Sequence, residues 1–482
     1  MDFDEDRLKK LENLKAKGID PYGHRYEITS NLLNIKQNFE QLNGKSEQVA
    51  GRIIGKRDHG KLKFLDLQDE FATLQIYISE NNLDEQSKFI LSQLDVGDII
   101  GVYGVVVKTK TGEISVSAQR IDILAKSILP LPPRWYGLAD TEKRFRKRYL
   151  DLIMNPDVKE RIKDAAKVTS IIRSFLEKRG FIEFETPALQ PIYGGANARP
   201  FITHYNALDR DMYLRVSDEL YLKRLIIGGY EKVFEIGKDF RNEGMDILHN
   251  PEFQMLELYQ AYGDLSDMME ITKELIKEVS KQIRGSYEIE FDGKKIHLDK
   301  YDVVKMEDSV IKIIGTSDKK EIIEAAKKID PLVSDYGEAI NTLFEEKVQK
   351  TLIQPTFVTT YPIEVSPLAK RTKENPDFVD RFELFIDGIE IANAFTELND
   401  PQDQIKRFEL EAERRKRGVA ETQVMDWDFI EAQAYGMPPT GGLGIGIARL
   451  QMLVTGIKSI KEVMPFPQLR SIDNSEEREQ KS

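Results

Sequence analysis

The stretch FEIGKDFRNEGMDILHNPEFQMLELYQAY, residues 234–262, contains two segments with the pattern of β-strands around a short polar loop. Side chains alternate between the two faces of a strand, so Arg241 and Glu243 share one face of the first segment. One face of the second segment carries Phe253, Met255, Glu257 and Tyr259. Because strands joined by a short connection pair side by side, the stretch predicts part of an antiparallel sheet.

The loop between these strands, GMDILHNP, carries His249 and Asn250 near its end. The residues alone leave two interpretations open. In the first, the loop folds over a highly charged ligand. In the second, the segment is a solvated hairpin in which Arg241 pairs with Glu257 across the ladder, a contact that contributes about 0 to 1 kcal/mol when exposed.

A second hairpin is predicted in RFELFIDGIEIANAF, residues 381–395, because Asp387-Gly388 is a strong two-residue turn. Pairing the residues that flank this turn makes Glu383 and Glu390 diagonal neighbours on one face, with Cβ atoms about 7 to 8 Å apart. A magnesium ion and phosphate oxygens could bridge that gap, and a cation is the simplest relief for two facing carboxylates. The alternative is that both carboxylates point to solvent.

The rest of the chain predicts two kinds of domain. Residues 46–125 form five short alternating segments with glycines where a small barrel must bend, which is typical of an OB-fold. The proline-rich LPLPPRWYGLAD follows, and after residue 158 helices mix with strands at irregular spacing. We therefore predict an α+β fold with a lead-in and basic amphipathic helix at 1–45, a β-barrel at 46–128, a linker at 129–157, and an antiparallel sheet flanked by helices at 158–482, with a mostly helical insertion at about 264–350.

Composition excludes several classes of protein. No run approaches the eighteen apolar residues of a membrane span, and the start MDFDEDRLKK lacks the features of a signal peptide, so a cytoplasmic protein without membrane contact is predicted. The chain has no cysteine, and its five histidines lack metal-ligand spacing. Any metal would be held by carboxylates, which favours magnesium. A P-loop and a dinucleotide fingerprint are both absent.

Binding of nucleic acid is suggested by local features. The net charge of −12 argues against a polyanionic partner, but RLKKLENLKAK (7–17) and KRFRKR (143–148) are basic islands. Solvated helix faces are the alternative explanation for both islands. In KLKFLDLQD, alternation places Phe64 on the face opposite Leu65 and Leu67, where it either stacks on a base or packs in a core.

Together these pieces resemble the class II aminoacyl-tRNA synthetases, and most closely the class II lysyl-tRNA synthetases, over nearly the full chain. Three class signatures occur in order: KRGFIEFETPAL (178–189), FRNEG followed by HNPEF (240–253), and GLGIGIARL (442–450). More specific marks are GGANARPF (194–201), ELYLKRL (219–225) and ELNDPQDQ (397–404). The resemblance implies a class II synthetase catalytic domain, an anticodon-binding OB-fold, and a homodimer formed through the first signature.

The resemblance implies that the chain activates L-lysine with ATP to lysyl-adenylate and then transfers lysine to the 3′ end of tRNA(Lys). Arg241 and Arg449 match the catalytic positions. The ATP-binding positions are Arg241, Glu243, His249, Asn250, Phe253, Glu383 and Arg449, with adenine between Phe253 and Arg449. The positions for Mg²⁺ are Glu383 and Glu390.

The residues implied for lysine are Gly195, Glu219, Arg241, Glu257, Tyr259, Asn393 and Glu397, of which Glu219, Tyr259 and Glu397 hold the side-chain amine. A polar site of this kind can discriminate by about 10⁴- to 10⁵-fold. Asn393 has the opposite strand parity to Glu390, so both face the site only if the chain bulges near Ala392. Anticodon-reading positions in the barrel are Arg52, Phe64, Gln75 and Glu113, and the basic amino-terminal helix is expected to touch the tRNA backbone.

Two positions depart from the family pattern. Leu248 stands where relatives often have a basic residue, and Ala448 where an acid is common. We expect the first to weaken phosphate contacts and the second to loosen the orientation of Arg449. Two alternatives to a lysine-activating tRNA ligase stay open: a divergent paralogue that lysylates another acceptor or makes diadenosine polyphosphates, and a non-catalytic nucleic-acid-binding protein that kept the scaffold.

Overall fold

The computed structural model describes residues 3–60, 62–132, 140–419 and 422–470. The chain forms two compact units, Met1–Ala139 and Asp140–Ser482. Residues 133–139 of the predicted linker lie outside the described residues. No helix within the described ranges is long and apolar enough to cross a bilayer.

The first unit is built around a closed five-stranded barrel in the order β1-β2-β3-β5-β4. Its strands are β1 (Ser46–His59), β2 (Leu62–Gln68), β3 (Thr73–Ser79), β4 (Ile99–Lys108) and β5 (Ile114–Ala125), and its helices are α1 (Glu5–Ala16), α2 (Leu32–Gln37), α3 (Phe39–Leu42) and α4 (Glu85–Gln93). Alternation along β2 buries Leu65 and Leu67 and leaves Phe64 partly exposed. The predicted face for Phe64 is therefore confirmed.

Two cations of α1 contact the segments just before β4 and just after β5. Arg7 donates to the carbonyls of Ser127 and Val96, and Lys10 lies 2.5 Å from an oxygen of Asp95. Two of the basic residues predicted for the face of this helix therefore form contacts within the first unit.

The second unit is built on an eight-stranded sheet in the order β14-β15-β16-β17-β18-β11-β10-β6. Strands in this unit are β6 (Ile182–Glu183), β7 (Leu189–Gln190), β8 (Ile202–Tyr205), β9 (Arg210–Leu214), β10 (Lys232–Phe240), β11 (Glu252–Ala261), β12 (Glu288–Phe291), β13 (Lys294–His297), β14 (Asp302–Lys305), β15 (Thr356–Pro362), β16 (Phe378–Ile386), β17 (Ile389–Thr396) and β18 (Thr440–Gly446). The sheet is antiparallel except where β6 and β14 join its two edges as parallel strands. The α+β fold with a barrel followed by this sheet is confirmed.

Helices cover the sheet and its edges. They are α5 (Thr141–Arg146), α6 (Arg148–Met154), α7 (Pro156–Glu177), α8 (Glu219–Ile227), α9 (Leu265–Arg284), α10 (Met306–Ile314), α11 (Lys319–Lys327), α12 (Tyr336–Leu343), α13 (Pro401–Lys416), α14 (Trp427–Ala434), α15 (Ile447–Thr455) and α16 (Ile460–Val463). The main core lies between the sheet and α7, α9 and α15.

The second half of the predicted linker at 129–157 is helical and packed, so its assignment as linker is wrong. Arg148 of α6 is buried beside Asp151, and its guanidinium donates to the carbonyls of Lys461 and Pro465. The basic run at 143–148 therefore includes an arginine that fixes the carboxyl-terminal segment to α6.

The insertion predicted at about 264–350 also needs correction. Helix α9 buries Met268, Leu275, Ile276 and Val279 in the main core, and β14 joins the main sheet. The charged residues of α9 lie on its outer face, whereas its apolar stripe recurs every three or four residues and faces the sheet. The helix is therefore part of the scaffold and not a surface addition.

Candidate active site

A cavity of about 390 Å³ lies over β11, β16, β17 and β18. It is lined by nearly all the residues that the resemblance assigned to lysine, ATP and metal: Gly195, Glu219, Arg241, Glu243, His249, Asn250, Phe253, Glu257, Tyr259, Glu383, Glu390, Asn393 and Arg449. Glu397 lies behind this lining, where it contacts Lys223. The Arg241–Glu257 pair of the solvated-hairpin interpretation is not formed, because Glu257 is buried and stands opposite Glu235, although much of the loop between the strands is exposed.

Strands β11 and β18 form the floor of the cavity. Large side chains alternate along β11, and glycines stand opposite them on β18: Met255 pairs with Gly446, Glu257 with Gly444, and Tyr259 with Gly442. A Cβ atom at Gly442 would lie 1.9 Å from Glu397 Oε1 and 2.6 Å from Tyr259 Cε1. The alternate glycines of the third signature therefore make room for the polar side chains of the floor.

One end of the cavity is anionic. Glu219 at the start of α8 and Glu397 after β17 are both buried, and both contact the ammonium of Lys223. Burial raises the pKa of Glu397 to about 8 although Lys223 opposes the shift. Burial alone would lower the pKa of Lys223, but the two carboxylates raise it above its ordinary value. Tyr259 lies beside this group, with Lys223 Nζ 5.8 Å from its ring centroid.

A second anionic group adjoins the first. Carboxylate oxygens of Asp218, Asp239 and Glu257 lie within 4.8 Å of one another, and all three residues are buried. Burial, reinforced by Glu219 and Asp239, raises the pKa of Glu257 to about 8. Its two oxygens accept hydrogen bonds from Ser217 Oγ at 3.1 Å and Tyr259 Oη at 2.6 Å. This corner of the cavity favours a positively charged group.

The opposite end of the cavity is cationic. The Arg241 guanidinium lies over the Phe253 ring at 5.0 Å, and its Nε is buried without a hydrogen-bond partner among the described residues. Arg449 Nη1 donates to the backbone carbonyl and the carboxylate of Glu390, while its Nη2 lies 3.1 Å from His249 Nε2. The placement of adenine between Phe253 and Arg449 stays a prediction.

The loop 241–250 is closed against the carboxyl-terminal helices. Leu248 packs on a small apolar cluster that contains Ala448, and the Ile460 amide donates to the Ile247 carbonyl at 2.8 Å. Both departures from the family pattern thus contribute to one apolar contact. Arg449 is held by hydrogen bonds to Glu390, and the expectation that Ala448 loosens its orientation stays a prediction.

His249 is oriented by Asp246. The Nδ1 atom of His249 lies 2.8 Å from Asp246 Oδ2, and the Asp246 carboxylate also accepts from the backbone amides of Leu248 and His249. Since Arg449 must donate to Nε2, the imidazole proton lies on Nδ1 and points at Asp246. Asn250 also supports the loop, because its amide group donates to the Glu252 carbonyl.

Glu383 and Glu390 lie on one face of the hairpin, as predicted. Phe385 pairs with Glu390, and the register then shifts, so that Glu383 stands opposite Asn393. This bulge at Ile391 reverses the strand parity and brings Asn393 to the same face as both glutamates. The bulge is the physical reason for the parity conflict found in the sequence.

The carboxylates of this hairpin fit a hard cation. Burial, together with Glu390, raises the pKa of Glu383 to about 7, although Arg381 opposes the shift. Glu383 accepts from Tyr361 Oη at 2.9 Å and is held by Arg381, whereas Glu390 is held by Arg449. Oxygen ligands on a supported face are what Mg²⁺ prefers, so Glu383 and Glu390 suit the predicted metal.

Two residues of the site were missed in the sequence. Arg381 contacts Glu383 and donates Nε to Asn393 Oδ1 at 3.1 Å, and Lys223 bridges Glu219 and Glu397. The sequence spacing of both residues could have identified them. Arg381 precedes Glu383 by two positions on a strand, and Lys223 follows Glu219 by four positions on a helix, spacings that place each pair on one face.

The outer face of the barrel places three of the predicted anticodon residues along adjacent strands. Phe64 on β2 pairs with Tyr77 on β3, and their ring centroids lie 5.7 Å apart. Gln75 accepts from Ser115 Oγ at 3.0 Å at the start of β5, next to the exposed Glu113.

The fourth predicted anticodon residue lies elsewhere. Arg52 pairs in register with Gln68 and donates to the Gly97 carbonyl at 2.8 Å, so it is not beside Phe64. Arg57 has that place, with its guanidinium 5.9 Å from the Phe64 ring centroid. A bulge in β1 between Ile53 and Gly55 shifts the pairing that sequence alternation would give.

Comparison with known proteins agrees with this geometry. Residues 140–470 match the family described as class II tRNA synthetases (D, K and N), and residues 48–124 match the OB-fold nucleic acid binding domain. A lysine–tRNA ligase of Carboxydothermus hydrogenoformans is 51% identical over 97% of this chain and 98% of the relative. A lysine–tRNA ligase of Syntrophomonas wolfei is 49% identical over 96% of each chain. Lysine–tRNA ligase 2 of Methanosarcina mazei is 46% identical over 98% of this chain and 95% of the relative.

Proposed function

The chain belongs to the class II tRNA synthetases of the aspartate, lysine and asparagine group, and from that premise we propose that its cavity joins L-lysine to ATP and then to tRNA(Lys). The reaction is that of an ATP-dependent lysine–tRNA ligase. Relatives of this activity cover nearly the whole chain, the barrel included.

The observation that carries the proposal is the separation of charge within one cavity. Buried carboxylates of Glu219 and Glu257 line one end, with Glu397 directly behind them, and the guanidinium groups of Arg241 and Arg449 lie at the other end. The two ammonium groups of a diamino acid would be neutralised at the carboxylate end, and the negative charge of a triphosphate would be neutralised at the guanidinium end. Buried charges require partners of opposite sign, so the site is complementary to lysine beside ATP.

The first step needs no base from the protein. The lysine carboxylate is already an anion, and its oxygen attacks the α-phosphorus of ATP while the bond from that phosphorus to the bridging oxygen breaks and pyrophosphate leaves. Arg241 would hold the lysine carboxylate and the α-phosphate together, since its planar fork can donate to two oxyanions at once. Arg449, which contacts Glu390 and His249, would stabilise the charge that develops on the departing pyrophosphate.

A divalent cation has a place in this step. Glu383 and Glu390 would hold Mg²⁺, which when bound neutralises phosphate charge. Arg381 acts as a positioning residue because it holds Glu383 and Asn393 on the same face.

In the second step, a hydroxyl of the terminal tRNA ribose attacks the lysyl carbonyl and AMP leaves. Discrimination among tRNAs is assigned to the barrel, where Phe64 and Tyr77 offer aromatic faces to anticodon bases and Arg57 lies at their edge.

The reaction is tested by pyrophosphate exchange measured with each amino acid in turn. We expect exchange with lysine and magnesium, and at least about 10⁴-fold less with amino acids that lack a side-chain cation. Absence of lysine-dependent exchange would remove the proposal. Charging of transcripts with a UUU anticodon then separates tRNA(Lys) from other acceptors.

The affinity for lysine should increase as pH rises from 6 to 8. Glu257 and Glu397 have pKa values raised to about 8 by burial, so the ligand-free site holds protons that an incoming ammonium displaces. Binding releases protons, and the Kd of lysine should fall by up to about tenfold per pH unit for each proton released. Calorimetry in buffers of different ionisation enthalpy measures the number of protons released when lysine binds.

The charged and titratable groups around Glu257 and Glu397 are Asp218, Asp239, Glu219, Lys223 and Tyr259. Glu257→Gln removes one of the titrating groups and should reduce the number of protons released. A Kd for lysine that stays constant between pH 6 and 8 would contradict the assignment of these carboxyls to the two ammonium groups.

Replacing Phe64 by alanine should raise the KM for tRNA(Lys) by roughly 10- to 100-fold, because the loss of one stacked base costs about 1 to 3 kcal/mol. Lysine-dependent pyrophosphate exchange should not change, since the cavity does not include the barrel. Aminoacylation kinetics with a UUU transcript measure the effect. Phe71→Ala, at another exposed aromatic of the first unit, is the matched control.

We also propose that two copies of the chain associate through the first signature. Exposed apolar side chains occur on β6, on the sheet β7-β9-β8 and in its connecting segments, at Ile182, Leu189, Ile192, Ile202 and Leu208. An apolar surface of this kind is typical of an interface between protein chains. Sedimentation of the full chain should give twice its mass of 55.4 kDa.

A further inference from the structure

We propose that Lys223 is a specificity-determining residue of the lysine pocket: its ammonium neutralises one of two buried carboxylates, so that the pocket accepts one further ammonium. The inference rests on the proposed function and assigns a role to a residue that does not line the cavity. Glu219 and Glu397, the partners of Lys223, are the carboxylates offered to the substrate amine.

Lys223 is enclosed by the protein. Its side chain is 1% exposed, and those of Glu219 and Glu397 are 5% and 0% exposed. Glu219 begins α8 and Lys223 follows one turn later on the same face, which directs the ammonium towards the carboxylate. Glu397 approaches from the other side, after the end of β17. The three charges therefore form one buried group between a helix and the sheet.

The charge of this group decides which side chain can enter the pocket. With both acids ionised and Lys223 protonated, the group carries one net negative charge. A single substrate ammonium then neutralises it, whereas an uncharged side chain would leave one buried charge without a partner. Without Lys223, two carboxylates would face one ammonium, and the excess charge would require a proton or a second cation.

Burial raises the pKa of Glu219, and Arg381 also opposes that shift through its charge, but less than Lys223 does and without an ion pair to Glu219 or Glu397 among the described residues. Arg381 is engaged by Glu383, Asn393 and the Val365 carbonyl. Arg241 lies over Phe253, at the cationic end of the cavity. Within the described residues, Lys223 is the cation that forms ion pairs with both Glu219 and Glu397.

The test begins with Lys223→Met, which keeps the length of the side chain and removes its charge. The KM for lysine in pyrophosphate exchange should rise about 100-fold, since breaking a buried ion pair leaves an uncompensated charge. The KM for ATP should stay within about threefold, because Lys223 contacts the carboxylates offered to lysine and none of the residues assigned to ATP. Lys295→Met makes the same change at an exposed lysine and should alter neither value.

A second variant separates charge balance from packing. Glu219→Gln combined with Lys223→Met again leaves one net negative charge on the group. By this charge count, its KM for lysine should be lower than that of either single variant, Glu219→Gln or Lys223→Met, an interaction that a double-mutant cycle measures. Additive effects of the two substitutions would overturn the proposal. If Lys223→Met alone does not fold, restored folding in the double variant supports charge balance, and its KM for lysine still decides.

Chemical rescue gives an independent readout. Lys223→Ala leaves space for a short alkylammonium ion beside Glu219 and Glu397. Propylammonium, which matches the atoms removed, should restore lysine-dependent exchange in this variant and should not change exchange by Lys295→Ala. Lysine-dependent exchange by the unchanged chain is measured first. Its absence would remove the proposed function, whereas normal exchange by the unchanged chain with no rescue of Lys223→Ala would overturn only the role of Lys223.

Discussion

Replacing Arg241 by alanine should reduce lysine-dependent pyrophosphate exchange by about 10³-fold or more. The guanidinium lies over Phe253 at the cationic end of the cavity, and its buried Nε lacks a partner among the described residues. A buried donor without a partner is costly unless a ligand supplies the acceptor, and the lysine carboxylate and the α-phosphate are suitable acceptors. The loss should appear mainly in kcat, because these donors stabilise the negative charge that develops during transfer.

The conservative variant distinguishes charge from geometry. Arg241→Lys keeps the charge but lacks the planar fork, so we expect it to recover only a small part of the lost rate. Arg371→Ala, at an exposed arginine paired with Asp403, should leave exchange unchanged. Exchange by Arg241→Ala within about tenfold of the unchanged chain would show that other groups hold the two substrates together.

Sequence reasoning was most reliable where a periodic pattern met a turn with defined geometry. The Asp387-Gly388 turn gave the register of β16 and β17 up to Phe385 and Glu390, and alternation along β11 placed Phe253 and Glu257 on the cavity face. The same alternation failed at Asn393, because a bulge changes parity and leaves no mark in the hydrophobic pattern. A bulge in β1 likewise leaves Arg57, not Arg52, beside Phe64, and the role of Arg52 in anticodon reading stays a prediction.

Contacts between distant segments could not be derived from local patterns. The sequence presents Leu248 and Ala448 as separate departures from a family pattern, two hundred positions apart, whereas the fold places them in one apolar contact that closes the loop onto α15 and α16. Glu219 and Glu397 were both predicted at the lysine site, but the ammonium between them in the structure belongs to Lys223. Such pairings depend on tertiary packing, which residue spacing does not encode.

Replacing Gly442 by alanine should raise the KM for lysine by about 100-fold while the KM for ATP changes little. The added Cβ would lie 1.9 Å from Glu397 Oε1 and 2.6 Å from Tyr259 Cε1, and Glu397 is fully buried. Both side chains must therefore move away from the position where they meet the substrate amine, and a displacement of about 1 Å can cost about 10²-fold. Overpacking should also reduce the free energy of unfolding by about 1 to 3 kcal/mol, which thermal denaturation measures.

The position of Gly442 on β18 explains why this effect should be local. Gly442 pairs with Tyr259 and Phe395, whereas Arg449 lies on the following helix, beyond Gly446. Gly228→Ala is the matched control, because a Cβ there would make contacts of 3.4 Å at the end of α8 and the backbone has negative φ. Parallel increases in the KM for lysine and the KM for ATP would mean that the alanine distorts the whole sheet. An unchanged KM for lysine would mean that Glu397 and Tyr259 do not hold the substrate amine.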